Sequence, residues 1–172
     1  MGNELFGTII ENDLPQSVTV KLWGKKKILC VEFDDDSVID DSVIDDTFLN
    51  SLLSIIESKI LFINEQRSKI EQVLIEDGGV ELAESWASSA LEDSENEDCY
   101  IMEDGQKVYL PITEEYFKNS LYISEGSITI KDSLDDVEIR IFVECNPDFF
   151  SGHAFQMFID KNNEISSNGL CG

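Results

Sequence analysis

The segment Val137–Cys145, with the sequence VEIRIFVEC, places an apolar residue at every second position. A period of two is the spacing of side chains on one face of a β-strand. Val137, Ile139, Ile141, Val143 and Cys145 therefore share one face. The segment predicts a strand that buries this face against a core.

The rest of the chain gives further strands and a few helices. Strands are predicted at 6–10, 17–23, 28–33, 127–131, 154–160 and 165–170, with a short hairpin at 100–102 and 107–110. Apolar residues at three- and four-residue steps predict a long helix over 47–76 and a second helix over 80–91. Thr113 is predicted to cap a short third helix.

These elements predict one α+β domain over residues 1–172. It contains a mixed or mainly antiparallel sheet, with one long helix and one or two shorter helices packed on it. Apolar residues make up 42% of the chain, which is enough to build a globular core.

The charge balance is strongly acidic. Thirty-six Asp and Glu residues face twelve Lys and Arg residues, which gives a net charge of −24. Such a surface repels nucleic-acid phosphates and anionic lipids, so nucleic acid and membranes are poor direct partners. It attracts basic proteins, although the same acidity also serves solubility alone.

Two acidic loops are predicted, near residues 34–46 and 92–104. A calcium loop of the EF-hand type is not predicted at 34–46, because the required glycine and the closing Glu are missing. The alternative is a solvated connection that places acidic residues at a helix N-terminus. Eight carboxylates are candidate binding residues: Asp34, Asp35, Asp36, Asp40, Asp41, Glu92, Asp93 and Glu95.

Signatures of catalysis are scarce. The chain has no phosphate-binding glycine loop and no nucleophile elbow, and its single histidine rules out multi-histidine metal sites. We therefore name no cofactor and no metal ligands and favour a protein that is not an enzyme, while a carboxylate-only site for magnesium or calcium stays open. One weak exception is a dyad of Cys145 and His153, which a hairpin around residues 146–148 would bring together. The alternative is a buried thiol beside a buried, structural histidine that bonds the backbone.

Two adjacent aromatic residues, Phe149 and Phe150, lie in a predicted loop. They are candidate anchors for a partner if they are exposed. Alternatively, they plug the end of the sheet.

Four cysteines, Cys30, Cys99, Cys145 and Cys171, are spaced unlike a zinc or thioredoxin motif. The N-terminus lacks the basic flank and apolar run of a signal peptide. We therefore expect a cytoplasmic protein with reduced thiols.

Several short motifs resemble a bacterial family of unknown function, DUF2262. They comprise the Gly152-His153 step inside 149–155, the acidic turn at 160–163 and the glycines Gly169 and Gly172, together with segments 112–117, 121–123 and 18–24. The resemblance implies the fold and a bacterial origin, and it carries no activity.

The leading functional hypothesis is a non-enzymatic acidic module that binds a basic protein, such as an immunity-type protein that neutralises a basic toxin. The alternatives are a hydrolase-like enzyme that uses the Cys145–His153 dyad, and an inhibitor whose carboxylates mimic the phosphates of DNA.

Overall fold

The computed structural model describes residues 5–11, 14–34, 45–131 and 133–172. Within these residues the strands are β1 Leu5–Glu11, β2 Leu14–Leu22, β3 Lys25–Phe33, β4 Leu91–Glu92, β5 Cys99–Ile101, β6 Lys107–Tyr109, β7 Leu121–Ile130, β8 Val137–Cys145, β9 Ala154–Ile159 and β10 Ile165–Cys171. The helices are α1 Asp46–Glu65, α2 Arg67–Glu76, α3 Gly79–Ala87 and α4 Glu114–Ser120.

Seven strands form a mixed sheet in the order β1-β2-β3-β7-β8-β9-β10. Among the described residues every neighbouring pair of this sheet is antiparallel except β3 and β7, which pair in parallel with Cys30 opposite Ser127. The three strands β4, β5 and β6 form a separate small antiparallel sheet. This architecture confirms the predicted α+β class with a mixed, mainly antiparallel sheet.

The strand β8 coincides with the segment from which the fold was predicted. Its burial alternates along the whole strand, with Val137, Ile139, Ile141, Val143 and Cys145 buried. The helices supply the other side of this core, since α1 contacts β2 and β8 while α4 contacts β8. One cluster of buried side chains contains residues from both sheets and from all four of these helices.

The predicted long helix is two helices. The segment 47–76 breaks at Gln66, whose backbone lies outside the helical region, so α1 ends and α2 begins there. The break follows Asn64, whose side chain bonds the backbone of Lys21 and Trp23 on the large sheet. Asp45 caps α1 by accepting from the Phe48 amide at 2.8 Å, in line with acidic residues leading into a helix.

The second predicted helix is shorter than expected. Gly78 takes a positive φ of 82° and separates α2 from α3, as its position suggested. However, α3 ends at Ala87 rather than at residue 91, because the hydroxyls of Ser88 and Ser89 both bond the Ser85 carbonyl. Leu91 is therefore free to enter a strand of the small sheet.

Candidate functional site

The small sheet presents an exposed apolar pair. Its register places Leu91 opposite Ile101 and Tyr109 opposite Cys99, so these residues share one face. The opposite face carries Val108, which is fully buried in the core. Leu91 is 70% exposed and Tyr109 is 53% exposed. Large apolar side chains exposed together on one face are typical of a binding surface.

The loop between β4 and β5 is held in place by Asp93. Its carboxylate accepts hydrogen bonds from the Glu95 amide at 3.1 Å, from Asn96 at 2.8 Å and from the Lys107 ammonium at 2.6 Å. These hydrogen bonds hold the pKa of Asp93 well below its usual range, and the bond from Lys107 has the largest effect on that pKa. The side chain is only 6% exposed. Asp93 therefore organises the loop and offers little free charge to a partner.

Other carboxylates remain exposed around the small sheet: Glu92 pairs with Tyr100 and so lies on the Val108 face, and Glu95, Glu97 and Asp98 lie in the loop between β4 and β5. Glu92, Glu95, Glu97 and Asp98 are exposed, and residues 92–100 line a concavity of about 620 Å³. Asp98 also lines a second concavity of about 560 Å³, together with Glu81 and Glu84 of α3. We call the exposed carboxylates Glu81, Glu92, Glu95, Glu97 and Asp98, with Leu91 and Tyr109, the acidic surface.

The predicted loop boundaries need correction here. Residues 92 and 99–101, placed in an acidic loop over 92–104, belong to β4 and β5, so the loop proper is 93–98. Sequence reasoning found Glu92, Asp93 and Glu95 but missed Leu91 and Tyr109. Leu91 fitted the helical period of the preceding segment, and only the pairing of the short strands shows that it faces outwards.

The first acidic stretch lies elsewhere. Asp34 is exposed at the end of β3, where its amide donates to the Ile130 carbonyl at 2.9 Å on the large sheet. It therefore lies beside the large sheet, whereas Glu92 and Glu95 lie in and beside the small sheet. Asp35, Asp36, Asp40 and Asp41 lie outside the described residues.

The hairpin that was predicted to join Cys145 and His153 is present. The pairing of β8 with β9 ends with Val143 opposite Phe155, and continuing that register would bring Cys145 opposite His153. The histidine ring instead lies 2.8 Å from the Phe150 carbonyl through Nδ1 and packs edge-on against Trp86 at 5.4 Å. His153 is half-buried, so the expectation of a buried histidine is wrong.

The environment of Cys145 is unfavourable for a nucleophile. Burial raises the pKa of its thiol to about 12, against the opposing effect of a hydrogen bond with Ser120. At neutral pH the sulfur is therefore a protonated thiol, whereas nucleophilic catalysis needs the thiolate. This geometry favours the alternative interpretation, in which a buried thiol lies near a histidine that bonds the backbone.

Phe149 and Phe150 are both fully buried, so the hypothesis of exposed anchors is wrong, and their burial fits the alternative of a plug. Phe149 packs edge-on against Tyr116 at 5.9 Å, and Phe150 packs against Phe155 at 5.2 Å. They plug the end of the large sheet, because aromatic rings in a loop gain more by joining a neighbouring core than by facing water.

Within the ranges given above, no three His, Cys, Asp or Glu side chains cluster in a way that would hold a metal ion. No helix among those residues has the length and apolar content needed to cross a bilayer.

The fold and this surface define an acidic α+β protein with a seven-stranded mixed sheet and a small accessory sheet. Residues 16–170 match the sequence family described as an uncharacterized protein conserved in bacteria, DUF2262. Because this match covers most of the chain, the protein belongs to that family. Comparisons with curated proteins and with solved structures found no significant match.

Proposed function

We propose that this protein is a non-enzymatic binding module that holds a basic protein on its acidic surface. An immunity-type neutraliser of a basic toxin is the specific form that we propose. The observation that carries the proposal is the exposure of Leu91 and Tyr109 on one face of the small sheet, whose connecting loop carries the exposed carboxylates Glu95, Glu97 and Asp98.

The arrangement resembles the anatomy of protein interfaces, in which apolar anchors lie within a polar rim. Full burial of a side chain such as Leu91 contributes about 1.5–3 kcal/mol. Tyr109 adds a large ring, and hydrogen bonding with the Cys99 thiol raises its pKa, so it enters a contact as a neutral phenol. The apolar pair thus supplies contact area without burying an ionised group.

The surrounding carboxylates supply attraction and selectivity. The net charge of −24 accelerates encounter with a cationic partner, and the exposed carboxylates Glu92, Glu95, Glu97 and Asp98 would face lysines or arginines on it. Such rim charges act mainly on the association rate and depend on salt.

We also propose a cytoplasmic location. Cys30, Cys99, Cys145 and Cys171 are all free thiols, and Cys30 is exposed. An exposed thiol is compatible with a reducing compartment.

The test begins with affinity capture from a bacterial lysate at low salt, and each captured basic protein is then purified for affinity measurements. The anchor variant is Leu91→Ser with Tyr109→Ala, and its matched control is Ile28→Ser, since Ile28 is 64% exposed on the large sheet. The charge variant is Glu95→Gln, Glu97→Gln and Asp98→Asn. Its control neutralises Glu57, Glu65 and Asp77, which are exposed on other elements.

For a true partner we expect the anchor variant to weaken binding about tenfold or more, through faster dissociation. The charge variant should slow association and flatten its salt dependence, while both controls bind normally. A toxin partner should lose its activity in the complex. A partner that duplex DNA displaces would instead support the DNA-mimic alternative. Equal binding by all variants would overturn the proposal.

A further inference from the structure

A third concave surface of the molecule is lined by basic and not by acidic side chains. It lies at the turn between β2 and β3 and has a volume of about 240 Å³. Ten residues line it: Leu22, Trp23, Lys25, Arg67, Asn119, Ser120, Leu121, Tyr122, Ile123 and Asn146. We call it the cationic cleft, because it contains an ammonium and a guanidinium group and no carboxylate among its lining residues.

This concentration of positive charge contrasts with the composition of the chain, in which acidic residues outnumber basic ones three to one. Half of the twelve Lys and Arg residues lie in two short segments of sequence, 21–27 and 67–69, and each segment contributes one of them, Lys25 or Arg67, to the cleft. The cleft is therefore a local site of basic side chains, and the carboxylates Glu71, Glu114 and Glu115 line a neighbouring concavity that shares Arg67 and Asn119 with it.

Arg67 is held in a defined position. Its guanidinium lies over the Trp23 ring at 4.6 Å, and its Nε donates to Glu71 at 2.7 Å. Trp23 is itself fixed, because its amide donates to the Asn64 side chain at 2.8 Å. A guanidinium has five N–H donors and Glu71 engages the one on Nε, so the terminal amino groups remain available for an anion.

Lys25 faces the other aromatic wall of the cleft. Its ammonium lies over the Tyr122 ring at 5.0 Å, and among the described residues no carboxylate lies within ion-pair distance of it. Tyr122 donates its hydroxyl proton to Glu144, and burial together with that bond raises the pKa of Tyr122 to about 12. The phenol therefore stays neutral, and its ring positions the ammonium.

Amide groups complete the lining. Asn119 is exposed, and Asn146 accepts from Gln106 at 2.6 Å through its carbonyl oxygen. The NH2 group of Asn146 is therefore the group that can donate a hydrogen bond to a ligand in the cleft.

We propose that the cationic cleft binds a compact organic oxyanion through a carboxylate or phosphate group, which Arg67 and Lys25 contact together. The two cations supply charge-assisted hydrogen bonds, and the amides supply neutral donors. The aromatic walls favour a ligand with a small planar body. This site is distinct from the acidic surface, and the proposal does not depend on the function proposed for that surface.

Three probes that share one ring test the proposal: phenyl phosphate, benzoate and uncharged phenol. We expect isothermal titration calorimetry to show binding of at least one of the two anions, with phenol about tenfold weaker or undetectable. Phenyl phosphate binding alone assigns a phosphate ligand, and benzoate binding alone assigns a carboxylate. If neither anion binds, or if phenol binds as tightly as they do, the proposal is overturned.

Variants then locate the site. Arg67→Gln and Lys25→Gln should each weaken the anion about fivefold or more, whereas Lys161→Gln should not, since Lys161 pairs with Asp136 elsewhere. Arg67→Lys keeps the charge but loses the fork-shaped donor set, so we expect an intermediate affinity. Thermal melting of each variant shows whether it is folded. Unchanged affinity in folded Arg67→Gln and Lys25→Gln would place the anion elsewhere and refute the proposal.

Discussion

The ammonium group of Lys59 lies 2.6 Å from the backbone carbonyl oxygen of Asp160 and donates a hydrogen bond to it. This contact links the middle of α1 to the end of β9, and a second bond reaches the Asn163 side chain at 3.2 Å. Lys59 is only 6% exposed. Burial lowers the pKa of Lys59 below its usual value of 10.5, although Asp160, Asp136 and Glu138 act in the opposite direction.

The lowered pKa gives a pH dependence of known sign. Between the lowered pKa and 10.5, the unfolded state binds the proton and the folded state does not, so the stability of the folded state rises with pH. Urea unfolding should therefore show the wild type gaining stability relative to Lys59→Met as pH rises through this window. The variant serves as the control for all other titrating groups, and a constant difference would contradict the expectation.

Gly126 is predicted to tolerate no side chain. A Cβ atom there would lie 2.6 Å from the Arg140 carbonyl oxygen and 3.1 Å from a methyl group of Leu29. We expect Gly126→Ala to destabilise the protein by about 1–3 kcal/mol, because the backbone must shift to relieve the overlap. Gly7→Ala is the matched strand control, since a Cβ atom at Gly7 meets nothing within 4 Å. Equal melting temperatures for both variants would show that the strands around Gly126 shift without a loss of stability, which would contradict this prediction.

His153→Ala should reduce stability without any catalytic consequence. The variant loses the bond from Nδ1 to Phe150 and the edge contact with Trp86. We expect a cost of about 2 kcal/mol, measured as a melting temperature lower by about 4–8 °C. His153→Asn retains a donor near the Nδ1 position and should recover part of the loss. An unchanged melting curve for His153→Ala would argue against a structural role.

The four thiols should differ in their reactivity. Iodoacetamide at neutral pH is expected to alkylate Cys30 first, because it is exposed, and to leave the buried Cys99 and Cys145 unmodified until the protein unfolds. The pKa of about 12 protects Cys145 further. Mass spectrometry of peptides from the native and unfolded protein measures the order, with Cys30→Ser as the control. Fast labelling of native Cys145 would favour the dyad.

Local patterns predicted the local elements. The alternation in Val137–Cys145 and the cap at Thr113 were both confirmed, since Thr113 accepts from the Tyr116 amide at 3.1 Å. Other boundaries depend on partners far along the chain. Leu121 lies four residues after Phe117 and so fits a helical spacing, yet it pairs with Cys145 and begins β7. At Leu121 the pairing with β8 therefore determines the local structure, and the helical spacing does not.

The candidate sites were harder to predict from the sequence than the strands and helices. The acidic residues near Glu92 were evident from composition, whereas the orientation of Leu91 and Tyr109 depends on the register of three very short strands. The cationic cleft joins Lys25, Arg67 and Asn146, which come from three separate elements. The spacing of residues along the sequence does not indicate that side chains from such distant positions lie together.

Because β3 pairs in parallel with β7, β3 lacks this partner strand until β7 has been synthesised. The ribosome completes β3 at Phe33 but reaches Leu121 only after all four helices and the small sheet have been synthesised. During that interval the meander of β1, β2 and β3 has an unpaired edge, which attracts strands of neighbouring nascent chains. Charged residues discourage such contacts, and Lys25, Lys26 and Lys27 begin the strand that carries this edge. These three lysines therefore place positive charge on β3 throughout the interval in which it lacks β7.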